Sequence, residues 1–135
     1  MEFKYKDINL LTGILSRMIS GRQKLPIKGA QLAHKMIKIV NTELETHQKL
    51  YSEIINEYAT KDENGELIKE MKIIDGKEVE TGGVIVEDTV GCAEKIRELE
   101  ELTFETGLNP VSIDDLGKME ISIAEFEALE GKLFY

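Results

Sequence analysis

The chain has no tryptophan, one cysteine, two prolines and two histidines in 135 residues. Each shortage closes off a class of chemistry. Cys92 stands alone, so no internal disulfide staples the fold, and a chain of this length must rely on an apolar core. A buried, small, apolar role is the usual one for such a thiol. His34 and His47 lie on one helical stretch, separated by about 20 Å at 1.5 Å per residue, too far to share a zinc ion. No apolar run approaches the roughly 18–20 residues that span a bilayer. The opening "MEFKYKDINLLTGIL" mixes acids with bases and lacks a small-residue cleavage site, so it does not read as a signal peptide. A soluble, intracellular protein is the expectation. The chain also lacks a G-x-S-x-G elbow, a G-x-x-x-x-G-K phosphate loop and a dinucleotide fingerprint.

Charge is plentiful and uneven. The net charge is −9, yet Met1 to Lys61 carries ten Lys/Arg against six Asp/Glu, while Asp62 to Tyr135 carries seven against twenty. Ile8 to Thr42 contains no acid and holds Arg17, Arg22, Lys24, Lys28, Lys35 and Lys38. Such polarity steers partners or pairs two surfaces within a fold or a dimer. An acidic chain is a poor match for nucleic acid, whose binding rests on phosphate neutralisation.

Periodicity places the elements. "DINLLTGILSRMISG" predicts a first helix with Asp7 as N-cap, Ile8, Leu11, Leu15 and Met18 on one face, and Gly21 as the stop. Gly13 within it costs about 1 kcal/mol against Ala and is expected to allow close packing. "RQKL" connects to Pro26, which suits the first turn of the next helix. That helix, about 27–59, is the strongest local signal. Ile37, Val40, Leu44, His47, Tyr51, Ile54 and Tyr58 alternate in steps of four and three as a heptad seam, begun at Ala33 and widened by Leu32, Met36, Ile39, Leu50 and Ile55. The seam is longer than two shorter helices can cover, which predicts self-association. After a turn at Asn64-Gly65, two strand-like runs flank Asp75-Gly76, the pair that a type I′ hairpin prefers, and Gly82-Gly83 marks a bulge. A third helix over about 89–105 has Val90, Ala93, Ile96, Leu99 and Leu102 on its apolar side, with Gly107 closing it. The tail predicts short extended pieces and a last helix over about 123–130, opened by a Ser122–Glu125 capping box and stopped by Gly131. The expected fold is α+β, mainly α, in a single domain over residues 1–135. A long central helix packs with shorter helices, and one β-hairpin spans about 67–86.

Candidate metal sites fail on spacing. An EF-hand loop begun at Asp62 would put Gly65 at position 4 and Ile73 at position 12, where Gly belongs at 6 and Glu at 12. The stretch "YATKDENGELIKE" therefore reads as a helix end and a turn. Glu43 precedes His47 by four residues, not the three of a di-metal Glu-x-x-His set, and no second set exists. Glu94, Glu98 and Glu101 have the spacing of half a magnesium-type carboxylate site, without an evident second half; a solvated face is the plainer reading. No catalytic residue, metal or cofactor is expected.

Several segments in this order resemble a family of small proteins encoded by tailed bacteriophages and prophages. They are the start "KLPIKGAQLAHKM", a long helix ending "EYATKDENGE", a hairpin, and the closing "IDDLGKMEISIAEFEAL". Ile123 stands where that family tends to have Pro, and the resemblance carries over no catalytic residue. It implies a protein acting by contact in the host cytoplasm, on a host or phage protein. One expectation is capture of a host or defence factor through an acidic face of Glu94, Glu98, Glu101, Glu105, Asp114 and Asp115, occupying a basic groove meant for nucleic acid. The alternative is an adaptor or chaperone of virion assembly working through the long helix and the hairpin edge. A weaker alternative is a carboxylate-metal nucleotide hydrolase.

Overall fold

The computed structural model describes residues 1–21 and 24–135; Arg22, from the basic stretch, and Gln23 of the predicted connector lie outside the described residues. The fold is α+β and mainly α. In chain order come β1 (Glu2–Lys4), α1 (Ile8–Ile19), α2 (Ile27–Tyr58), β2 (Lys69–Ile74), β3 (Lys77–Val84), α3 (Thr89–Glu101), β4 (Thr103–Glu105) and α4 (Ile123–Leu129), with single 3-10 turns at Tyr5–Asp7 and Ile113–Leu116. Helix α2 is unbroken over its 32 residues. Where the sequence predicts a single domain, the chain divides into two compact units, Met1–His47 with Glu100–Tyr135, and Gln48–Leu99.

The first unit has the richer core. Ile8, Leu11, Ile14, Leu15 and Met18 turn inward from α1, and Leu32, Ala33, Met36 and Val40 from the first half of α2. Leu116, Leu129, Leu133 and Phe134 come from the tail. Strand β1 pairs antiparallel with β4, setting Phe3 opposite Phe104. This ladder overturns the predicted extent of the third helix. Helix α3 ends at Glu101 rather than near Glu105, because the Leu102 carbonyl accepts from the Tyr5 N–H at 2.9 Å and Phe104 turns inward to Phe3 and Tyr5. Gly107, with φ of +70°, lies beyond β4 rather than closing the helix. The tail is anchored by backbone bonds between Val111 and the Leu133–Tyr135 segment.

Helix ends follow the capping chemistry with one exception. Ser122 and Glu125 form the predicted reciprocal box, and Ser112 with Asp115 forms a second over the 3-10 turn. Gly21 and Gly131 take the positive φ of helix stops. Asp7 makes no side-chain cap bond, because the 3-10 turn before α1 brings the chain in already coiled. The Pro26 carbonyl accepts the first helical bond of α2, from the Ala30 N–H at 3.0 Å.

Two glycines contrast. Gly13 faces open space, which corrects the expectation of close packing there. The close approach is at Gly29, where a Cβ would overlap the carbonyl oxygen of Asp115. One ion pair is also built in. Glu125 is buried, and Arg17 donates to its Oε2 and to the Glu120 carbonyl. Burial by itself would raise the Glu125 carboxyl, but the Arg17 guanidinium with the Ser122 backbone and hydroxyl outweighs it, and the carboxyl titrates below its usual range.

The second unit holds α3 through Leu99, the last third of α2 from Gln48, and the hairpin. Asp62 bonds the N–H groups of Asn64 and Glu66 at 2.9 and 3.0 Å, so its carboxylate shapes the predicted turn. The Asp75-Gly76 turn has φ of +52° and +75°, as a type I′ hairpin requires. Beyond it, Ile74 faces Lys77, Ile73 faces Glu78, Lys72 faces Val79 and Met71 faces Glu80. The register then shifts before Lys69 meets Val84, which places the predicted bulge around Gly82-Gly83. Among the described residues, only Ala59, Cys92 and Leu99 of the buried apolar side chains belong to this unit.

Two outcomes are expected from denaturant unfolding. Gly29→Ala destabilises by at least about 1–3 kcal/mol, since the backbone must move, whereas Gly13→Ala gains up to about 1 kcal/mol. Arg17→Met costs about 1–3 kcal/mol at neutral pH. That deficit shrinks in acid, because a carboxyl with a lowered folded pKa stabilises only above its unfolded pKa and loses this as pH falls through the folded one.

Candidate functional site

The six carboxylates of the predicted acidic face are divided between the units and differently engaged. Glu94 and Glu98 lie in the second unit, one turn apart on α3, with ion pairs to Arg97 and Lys95 on the same helix, both at 3.7 Å. These are exposed pairs of the kind that contribute little. The others lie in the first unit. Glu101 holds Lys4 at 2.6 Å and Lys6 at 3.3 Å, and those two ammonium groups keep its carboxyl below the usual range. Glu105 accepts from the Met1 amino group at 2.8 Å and from the Gly107 N–H at 2.9 Å, and is likewise lowered. Asp115 is engaged in its capping box, and Asp114 is exposed beside it. Internal partners thus occupy much of the charge that the sequence offers for an outside groove.

The heptad seam is similarly divided. In the first unit Val40 is fully buried and Ile37, Leu44 and His47 are half-buried. His47 does what a polar seam residue most often does and bonds a neighbour. Its Nε2 lies 2.6 Å from Glu100 Oε1, and its ring packs on Tyr5 with centroids 5.4 Å apart. The Tyr5 hydroxyl donates to Glu43 Oε2 at 2.7 Å. Burial first, and the bond to the Glu43 carboxylate second, push the Tyr5 phenol up to about 12. Tyr5, Glu43, His47 and Glu100 therefore form a network whose members satisfy one another. The sequence shows only its Glu43–His47 half, one helical turn apart; Tyr5 and Glu100 are far away along the chain. In the second unit, Ile54 and Tyr58 are half-buried and Tyr51 is exposed.

The basic stretch has several destinations. Arg17 is held by Glu125, as described above. Lys24 with Lys118 lines an open hollow of about 480 Å³, and Lys28 with Lys35 lines one of about 300 Å³ against the 107–111 loop. Among the described residues, no group of three or more His, Cys, Asp or Glu could hold a metal ion. Nor is any helix among them long and apolar enough to cross a membrane.

The most unusual surface is the hairpin, which the sequence located without showing how bare it is. Ile73 is 77% exposed, Ile74 54%, Met71 45% and Val79 43%. Side chains alternate between faces along a strand, and directly opposed residues share a face. Met71, Ile73, Glu78 and Glu80 therefore lie on one side of the ribbon, and Lys72, Ile74, Lys77 and Val79 on the other. Both sides are open to solvent. A two-stranded ribbon is marginal in water, and this one exposes apolar side chains on both faces.

The Tyr5 network has a direct readout. Tyr5→Phe is expected to cost roughly 1 kcal/mol, because the Glu43 carboxylate loses its donor. It should also remove the rise in phenolate absorbance near pH 12. The raised phenol contributes stability that is complete below pH 10 and lost as pH climbs through about 12.

No family model matches this chain, and neither a curated protein nor a solved structure is similar to it.

Proposed function

We propose that this protein works by protein–protein contact rather than by conversion of a substrate, and that the hairpin of its second unit is the contact surface. One observation carries the reading: the second unit buries only Ala59, Cys92 and Leu99 while exposing Met71, Ile73, Ile74 and Val79 on a ribbon without sheet neighbours among the described residues. Apolar side chains left outside in this concentration mark interaction sites, and the ribbon's free edges can also take a partner's strand. The resemblance to bacteriophage proteins gives the context, a phage-encoded adaptor or chaperone of virion assembly acting in the host cytoplasm. This ordering differs from the one that charge alone favours. Capture of a host or defence protein by the acidic face is the second reading. It retains Glu94 beside the exposed Val90, in an open groove of about 440 Å³ that Arg97 also lines, with Glu98 exposed on the same helix.

The test is site-specific photo-crosslinking in cells producing the full chain. A photoreactive residue replacing Ile73 is expected to give protein adducts, and one replacing Gln31 in the first unit none. Adducts at Glu94 with none at Ile73 would transfer the contact to the acidic helix. Silence at both positions would remove the contact reading.

A further inference from the structure

The partner that the ribbon fits best is another ribbon. Beyond the bulge its two faces are matched in apolar content and opposite in charge. One carries Met71 and Ile73 with Glu78 and Glu80; the other carries Ile74 and Val79 with Lys72 and Lys77. At the bulge, Lys69 falls on the face of Met71 and Ile73, 3.5 Å from Glu80, and Glu70 falls on the face of Lys72 and Ile74; each offsets part of its face's charge, and the two faces keep opposite signs. Like faces repel: acidic against acidic sets four glutamates against two copies of Lys69, and basic against basic sets four lysines against two copies of Glu70. Unlike faces attract while the apolar side chains of each cover those of the other.

We propose that the hairpin is a self-association module, in which the Met71–Ile73 face of one copy stacks on the Ile74–Val79 face of a second copy. This rests on the reading of the hairpin as the contact surface and names its occupant. Stacked sheets lie about 10 Å apart, close enough for opposed side chains to interdigitate. Because the two faces differ, the contact is heterologous, so copies add head to tail into a ring or a short stack rather than stopping at a two-fold dimer. The apolar side chains supply the attraction, and the charges choose which face meets which. The geometry differs from that of a heptad seam, of which Val40 is buried and Ile37, Leu44 and His47 are half-buried within the first unit.

The experiment is sedimentation velocity on the full chain and two charge-reversed variants. Wild type is expected to sediment above its 15.3 kDa monomer mass at high micromolar concentration and low salt. Glu78→Lys with Glu80→Lys makes both faces basic, and Lys72→Glu with Lys77→Glu makes both acidic. Each variant alone is expected to remain monomeric, and an equimolar mixture to associate again. All four positions are exposed, and recovery in the mixture shows that neither variant is simply misfolded. A wild type that stays monomeric at millimolar concentration overturns the proposal, as does a mixture that stays monomeric while wild type associates. Crosslinking keeps the two readings apart. Adducts at Ile73 to a different protein, with a monomeric wild type, leave the contact reading standing and remove this one, whereas absence of any adduct removes both.

Discussion

Phe3 and Phe104 meet across a ladder of only three residues on each strand, and the first unit depends on that meeting. So short a ladder cannot hold itself. It persists because Phe104 packs against both Phe3 and Tyr5 and all three are buried, each large buried side chain contributing about 1.5–3 kcal/mol. The ion pairs beside it, from Lys4 and Lys6 to Glu101, are exposed and belong to a class contributing about 0–1 kcal/mol. Apolar burial therefore decides, and the charges trim the edge. The same ladder ends α3, carries Tyr5 to Glu43 and His47, and fixes where the acidic residues of the 101–105 segment point.

The second unit is assembled on the opposite terms. Two of its three buried apolar residues, Ala59 and Cys92, are small, and its strands pair only with each other among the described residues. Small bodies with so little enclosed apolar surface sit at the low end of local stability, from which binding segments are commonly drawn. The turn chemistry is nonetheless strict. The Asp62 carboxylate organises the loop after α2, and two consecutive positive φ values form the hairpin tip. A ribbon with a defined shape and bare faces suits binding better than storage of apolar surface.

Local signals carried most of the architecture. The heptad pattern located α2, Asp75-Gly76 the hairpin, and Ser122 with Glu125 the last helix, because each depends on residues within a few positions of one another. The failures are long-range. Nothing in "EFK" or "TFE" marks three-residue strands, and their pairing depends on aromatic residues a hundred positions apart. Glu101 and Glu105 read as an open acidic face only until Lys4, Lys6 and the Met1 amino group arrive. His47 was legible as a residue needing a partner, but Glu100 could not be chosen from among the many acids. At the proposed contact surface, the alternation of Met71, Ile73 and Val79 with charges was visible. That neither face would be covered within its own unit was not.

The first unit is also discontinuous, and that has a consequence for the newborn chain. Its closing segment, Glu100–Tyr135, leaves the ribosome only after all of Gln48–Leu99. At the usual synthesis rate of about 5–20 residues per second, α1 then waits roughly 4–20 s with Ile8, Leu11 and Ile14 made before Phe104 and Phe134, the later part of the same unit's core, arrive. The hairpin emerges during that wait. Helper proteins that shield nascent chains therefore meet two greasy surfaces at once, one destined to be enclosed and one to stay outside.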